Sequence, residues 1–169
     1  MIYAQLKTVP RWNHWSTPIL FVSLSISGGA LMTGQVTFAM YGFVVVGLIQ
    51  IFAWFSSDGR FARSGSTIET ATGLGHIGKV RMFEPPHTGT NYLLKEMVYV
   101  IGRKHATKLR LLAIVLMVVI PVAMIGMGAQ HGIEAIIAVL SHVIGVFASR
   151  WLFFAEAEHV VGLYYGKRG

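Results

Sequence analysis

Four long apolar runs constrain the fold of this chain more than any other feature of its sequence. Hydrophobic residues make up 54% of the 169 residues and charged residues only 12%. Each run approaches the ~20 residues that cross a ~30 Å hydrocarbon core as an α-helix, and none alternates with a period of two. The sequence therefore predicts an all-α transmembrane bundle of about four helices, folded as a single membrane domain over residues 1–169. The predicted spans cover residues 16–34, 36–55, 111–129 and 133–155.

The basic residues lie mostly on one side of these spans. Lys7 and Arg11 precede the first span, and the long connection 56–110 holds most of the others, whereas residues 34–35 and 130–132 contain no Lys or Arg. Because basic loops stay in the cytoplasm, both termini and the long connection are predicted to be cytoplasmic, with the chain in the cytoplasmic (inner) membrane. The short turns make each pair of spans an antiparallel hairpin. The net charge of +7 is then a topology signal, and no nucleic-acid partner is predicted.

The connection 56–110 is too polar to cross a membrane and too long for a simple turn. Loops of this length in compact proteins are commonly functional or disordered, and we favour a functional loop. A stripe of apolar residues within it predicts a helix that lies along the membrane surface. The stripe consists of Leu93, Leu94, Met97, Val98 and Ile101.

We single out two polar residues inside predicted spans, His142 in the fourth and Gln50 in the second. His142 could be an axial ligand of haem b, but that cofactor needs a second histidine at similar depth, and no other predicted span contains one. The simpler interpretation is a histidine hydrogen-bonded to a neighbouring helix, with Gln50 or Ser141 as its partner. A haem b respiratory subunit stays an alternative. A small transporter or channel is another, for which we expect paired charges or broken helices at mid-membrane.

Cysteine chemistry is excluded within this chain, because the sequence contains no cysteine. Neither a disulfide nor a thiolate-held iron–sulfur cluster can form here. Glu156 and His159 lie one helical turn apart near the end of the fourth span, which predicts that their side chains meet. A metal ion would require three or four donors, so no metal site is predicted.

A cluster of ionisable residues lies in the long connection. Oxidation of a quinol requires groups that bind the quinone oxygens and accept protons, and His with Glu suits that task near neutral pH. A solvated or partner-facing surface is the other interpretation of such a charged loop. The members are His76, Lys79, Arg81, Glu84, His87, Lys95, Glu96 and His105.

Three stretches of the sequence carry a family resemblance. They are Met1–Pro10 continuing into Trp12–Pro18, then Glu69–Gly75 with Pro85–Met97, and finally Arg150–His159. In these stretches the chain resembles the DmsC family, the membrane anchor subunits of dimethyl sulfoxide reductase-type molybdoenzymes. Family anchors are built as two related halves, and this chain resembles the C-terminal half.

The resemblance implies an anchor subunit that is not catalytic alone. It would tether an iron–sulfur subunit and a molybdopterin catalytic subunit and take part in quinol oxidation and anaerobic electron transport. Menaquinol or ubiquinol would be the cofactor, with no haem or iron–sulfur cluster in this chain. The missing N-terminal half of the anchor would be a further partner.

The resemblance also suggests which loop residues bind the quinol. The stretch His76-Ile-Gly, followed by Glu96, looks similar to the His-Leu-Gly loop and glutamate associated with quinol binding in the family. We therefore expect His76, Arg81 and Glu96 to bind quinol. A purely structural anchor differs from this hypothesis only in whether His76 and Glu96 matter. The residues expected to contact partner subunits are Lys79, Glu84, His87 and Lys95.

Overall fold

The computed structural model describes residues 1–84, 104–128 and 131–165, and every regular element in this part of the chain is helical. Two short 3-10 helices, Tyr3–Gln5 and Val160–Tyr165, lie near the chain ends. A π-helical turn, Val115–Val119, joins two of the α-helices into one continuous third span, Ala106–Gly126. The α-helices are α1 (Ser16–Met32), α2 (Val36–Ser57), α3 (Arg60–Arg63), α4 (Ile68–Thr72), α5 (Ala106–Ile114), α6 (Ile120–Gly126) and α7 (Gly132–Ala155).

Four helical segments form a transmembrane bundle, which confirms the predicted fold class. α2, the third span and α7 are long and apolar enough to cross a membrane, and α1 is a shorter apolar helix of 17 residues. Large apolar side chains cover the outside of these helices, as lipid exposure requires. The chain is therefore a multi-pass membrane protein. The predicted surface helix near residues 93–101 lies outside the described residues.

The bundle has two unlike ends. The basic end gathers residues 1–15, residues 58–84, the start of α5 and residues 156–165, and we use that name for it below. At the opposite end, the turn end, residues 33–35 connect α1 to α2 through Gly34, whose φ of +76° favours glycine. The location of the basic end in the cytoplasm stays a prediction.

α2 and the third span form the centre of the bundle. Phe43 of α2 and Met117 of the third span are completely buried against each other's helices. α1 packs on α2, and α7 packs on the third span, whereas α1 and α7 touch only sparingly. The helix of the third span begins at Ala106, before the apolar run at residue 111, so its first turns carry Lys108 and Arg110 to the basic end.

Candidate functional site

The third span lacks a backbone hydrogen bond at Pro121, and side chains of α7 supply donors in its place. Pro121 has no N–H, so the carbonyls of the preceding turn cannot accept a hydrogen bond from that position. The Ser141 hydroxyl donates to the Leu116 carbonyl oxygen at 2.8 Å, and His142 Nδ1 lies 2.8 Å from the Met117 carbonyl oxygen. Side chains of neighbouring helices commonly satisfy backbone groups near a proline in a membrane helix.

His142 is almost completely buried. Its side chain is 3% exposed, and its ring centroid lies 4.4 Å from that of Phe43. Its Nε2 faces α1, where a Cβ added at Gly28 would lie 3.0 Å away. A porphyrin would not fit between Nε2 and α1, so the geometry does not favour the haem b hypothesis. His142 contacts a backbone carbonyl rather than Gln50 or Ser141, the two partners that the sequence suggested.

Gln50, the other predicted intramembrane polar residue, pairs with α7 near the basic end. The Ser149 hydroxyl donates to Gln50 Oε1 at 2.9 Å, and Arg150 Nη2 donates to the same oxygen at 3.3 Å. Gln50 is 3% exposed and Ser149 is 1% exposed. The three side chains therefore form a polar contact inside the bundle, between α2 and α7.

Arg150 is a site residue that the sequence analysis did not single out. Its Cζ lies 4.3 Å from the centre of the Phe21 ring and 5.5 Å from that of Phe153, within range of cation–π attraction. Its Nε and Nη1 are buried and have no hydrogen-bond partner in the described part of the chain. A signal was available, because Arg150 is the one Lys or Arg within the four predicted spans, and charges at such depth are usually functional.

A groove of about 390 Å³ separates α1 from α7 and is lined mainly by apolar side chains. Gly28 and Gly29 of α1 form part of its wall, since neither carries a side chain that could fill it. His142 and Arg150 line it at two depths that differ by about 12 Å along α7, at 1.5 Å per residue.

A second, smaller cavity of about 30 Å³ lies among polar side chains toward the basic end. Gln50, Ser149 and Glu156 are among the residues that line it, and Arg150 lines both this cavity and the groove. Glu156 is 5% exposed. Arg150 thus stands between an apolar groove and a polar cavity.

Four charged side chains form a network at the basic end. Arg110 binds Asp58 and Glu156, each at 2.7 Å, and Arg11 binds Asp58 at 2.7 Å and Glu156 at 3.6 Å. The hydrogen bond from Arg110 lowers the pKa of Asp58 below its ordinary value, although partial burial acts in the opposite direction. The network ties together the N-terminal segment and the basic ends of α2, the third span and α7.

An aromatic cluster packs the N-terminal segment onto the end of α7. Trp12 stacks on Phe153 with centroids 5.0 Å apart, and its indole N–H donates to the Phe153 carbonyl oxygen at 2.9 Å. Tyr3 packs edge-on against both rings. The Val160 N–H donates to the Thr8 carbonyl oxygen at 2.9 Å, which brings the C-terminal segment to the same place.

The loop residues predicted to bind quinol or partners are only partly described. His76 is exposed, and its Nδ1 lies 2.9 Å from the Gly73 carbonyl oxygen. Lys79 and Arg81 line a shallow surface depression of about 300 Å³ to which His76 does not contribute. Glu84 is exposed. The other three predicted residues, His87, Lys95 and Glu96, lie outside the described residues.

The prediction that Glu156 and His159 share a helical face is wrong. α7 ends at Ala155, so the two residues are not one turn apart on a helix. Glu156 instead turns to Arg110, and His159 Nδ1 accepts a hydrogen bond from the Val161 N–H at 3.0 Å. The ion pair is the physical reason, because a buried carboxylate requires a charged partner. No three side chains of the metal-binding types gather in the described ranges.

Comparison with curated proteins gives a relative that matches almost the whole chain. The chain is 29% identical over 179 residues to a sulfite dehydrogenase subunit of Allochromatium vinosum, and the match covers 98% of this chain. It covers 54% of that protein, so the chain spans about half the length of its relative. No protein-family model and no solved structure matches the chain. The chain is thus similar to a subunit of an oxidoreductase, a similarity that does not single out the DmsC family.

Proposed function

We propose that this chain is the membrane anchor subunit of a respiratory oxidoreductase complex. The observation that supports the proposal most strongly is the similarity to the sulfite dehydrogenase subunit, because it extends over 98% of the chain. Following the DmsC resemblance, the partners are an iron–sulfur subunit and a molybdopterin catalytic subunit. The chain supplies attachment to the lipid, a docking face and contact with the membrane quinone pool.

We assign the docking face to the basic end. The described part of this end presents structured backbone from several segments, whereas the turn end offers short connections. Tyr164 donates to the Ala71 carbonyl oxygen at 2.6 Å, which fixes the C-terminal segment against α4 and shapes this face. A partner with an acidic surface fits the charge, since complementary potentials guide docking. The basic side chains outside the spans at this end include Arg11, Arg60, Arg63, Lys79 and Arg81.

The direction of electron flow depends on the catalytic subunit. The DmsC resemblance implies oxidation of menaquinol or ubiquinol, with electrons passing to the partner subunits. A dehydrogenase, which the name of the relative denotes, removes electrons from its substrate and passes them on. We propose exchange with the quinone pool in either case, since both directions use the same anchor and the same pool.

Purification of the chain from its native membrane tests this function. We expect mass spectrometry to identify a molybdenum-containing subunit and an iron–sulfur subunit in the same complex, and the visible spectrum to show no haem Soret band. A chain that purifies alone would overturn the anchor proposal and favour a transporter or channel. A Soret band that disappears in His142→Ala would favour the haem b alternative.

A further inference from the structure

The groove between α1 and α7 has the size and lining of a site for a lipid-soluble ring. Its volume of about 390 Å³ falls within the range of small-molecule pockets. A Cβ added at Gly29 would meet nothing within 4 Å, so the space beside this glycine is open. Phe21 and Phe147 supply aromatic faces at the wall. A flat apolar molecule from the bilayer can therefore enter without displacing a packed side chain.

Arg150 gives this groove a polar end. Two of its nitrogens, Nε and Nη1, are buried without an acceptor in the described part of the chain, while Nη2 binds Gln50 and Ser149. Buried donors in native proteins are nearly always paired, so an orphaned pair indicates an acceptor that binds there. The need for a hydrogen-bond acceptor is greater when the donor is a cation inside a membrane.

The polar cavity on the other side of Arg150 offers a route for protons. At about 30 Å³ it has room for a water molecule, and the hydroxyls and carboxylate around it provide the required hydrogen bonds. Ser149 and Glu156 line it, and Glu156 belongs to the ion-pair network of the basic end. Arg150 lies only about 8 Å before the end of α7, at five helical residues of 1.5 Å each.

We infer that the groove binds the ring of a membrane quinone. One quinone oxygen accepts hydrogen bonds from Arg150, and the isoprenoid tail lies over Gly28 and Gly29. This inference rests on the proposed function and adds the site at which the quinone binds. Reduction of the bound quinone takes two electrons from the iron–sulfur subunit and two protons from the basic end, and converts both carbonyls to hydroxyls. Oxidation of a quinol returns two electrons and two protons by the same routes.

The groove suits the ring better than the described part of the long connection does. Lys79 and Arg81 line an open surface depression, and His76 is exposed, so neither place excludes water from a bound ring. The groove faces the hydrocarbon, where the quinone is dissolved, and it combines an apolar wall with a buried cation. Apolar pockets with few convergent polar groups are the usual form of such sites.

Binding of decylubiquinone and of menadione to the purified native complex tests the inference by isothermal titration calorimetry. Gly29→Leu fills the groove, and Arg150→Met removes the donors. We expect each to weaken binding of at least one of the two quinones by roughly tenfold or more, the usual effect of losing a charged hydrogen bond or the space for a ring. Val22→Leu is the matched control, because Val22 is exposed on α1 and does not line the groove. It should bind both quinones like the wild type.

Several outcomes would overturn the inference. Wild-type binding by Gly29→Leu would do so even if Arg150→Met binds poorly, because Arg150 would then act only on the fold or on a buried water. Loss of binding in His76→Ala and Glu96→Gln, with both groove variants unaffected, would place the quinone in the long connection and leave the proposed function intact. A complex that lacks partner subunits and binds neither quinone would instead remove the proposed function itself.

Discussion

α7 packs differently on its two sides, although glycine lies at both contacts. Toward the third span, Gly145 allows the two backbones to touch, and Ser141 and His142 donate hydrogen bonds across the contact. We call this the closed seam. Toward α1, Gly29 borders a groove of about 390 Å³, which we call the open seam, and the neighbouring Gly28 packs close to His142. Glycine permits close approach but does not cause it.

The difference lies in what each glycine faces. Opposite Gly145, the break at Pro121 presents carbonyls that need donors, and α7 supplies them, which draws the helices together. A Cβ at Gly29 would meet nothing within 4 Å, so no group of α7 lies against this glycine, and Phe21 and Met32 are among the side chains that line the groove beside it. Small residues therefore close a seam only where hydrogen bonds or matching shapes lie opposite.

Substitution of the glycines should show the difference in stability between the closed seam and the open seam most clearly. A Cβ at Gly145 would lie 2.7 Å from Met117 Cα, and backbone cannot move aside as a side chain can. We expect Gly145→Leu to lower the free energy of unfolding by about 3 kcal/mol or more, at the upper end for overpacking. Gly29→Leu should change it by less than about 0.5 kcal/mol, as for an exposed position. Thermal unfolding of the detergent-solubilised protein, followed by circular dichroism, measures both. Equal losses would show that the two seams do not differ.

The hydrogen bond of His142 should matter because of Pro121. His142→Ala removes the donor to the Met117 carbonyl and a ring packed on Phe43, and we expect a loss of about 2 kcal/mol. In a Pro121→Ala background the backbone regains an N–H at residue 121. The loss should then shrink by about 0.5–1 kcal/mol, the usual size of such couplings in membrane helices. Unfolding midpoints of the four proteins of this double-mutant cycle give the coupling, and zero coupling would contradict the assigned role of His142.

Glu156 should stabilise the closed seam at its basic end, where Arg110 of the third span meets α7. Glu156→Gln leaves Arg110 paired with Asp58 alone, so we expect a loss of about 1–2 kcal/mol. This is below the cost of breaking a fully buried pair, because both arginines are partly exposed and retain a partner. Glu84→Gln is the matched control, since Glu84 is exposed, and should change stability by less than about 0.5 kcal/mol. Denaturant unfolding of both variants measures the two losses of stability. Equal losses would argue against a stabilising ion pair between Glu156 and Arg110.

The sequence predicted those features of the fold that depend on local patterns of residues. Runs of apolar residues are sufficient to indicate helices in lipid, because each helix satisfies its own backbone. The burial of His142 and Gln50 also followed from their positions in such runs. What could not be predicted was the partner of each polar group. The acceptor for His142 depends on how Pro121 and the π-helical turn expose a carbonyl to α7, and periodicity carries no information about that crossing.

The ion-pair network shows the same limit. In the sequence, Arg11 and Arg110 indicate only topology and nothing marks Asp58, because the contacts of these residues join positions 47 to 52 residues apart. Such contacts arise only when separate segments meet at one end of the bundle. Arg150 differs from these residues, because a charge inside an apolar run is visible in the sequence without any structure.

Asp58 should give the smallest effect, and a pH-dependent one, because it joins the two seams at the basic end through Arg11 and Arg110. The hydrogen bond from Arg110 lowers the pKa of Asp58 in the folded state below its ordinary value of 3.8, while the unfolded chain keeps that value. The stabilisation is therefore complete above about pH 4 and disappears as the pH falls through the lowered folded pKa. Asp58 is 45% exposed, so screening by solvent limits the effect to less than about 1 kcal/mol. We expect wild type to be more stable than Asp58→Asn near neutral pH, and the difference between the two to shrink as the pH falls below about 4. Denaturant unfolding across this range measures the difference, and a difference that does not change with pH would show that the Asp58 charge contributes nothing.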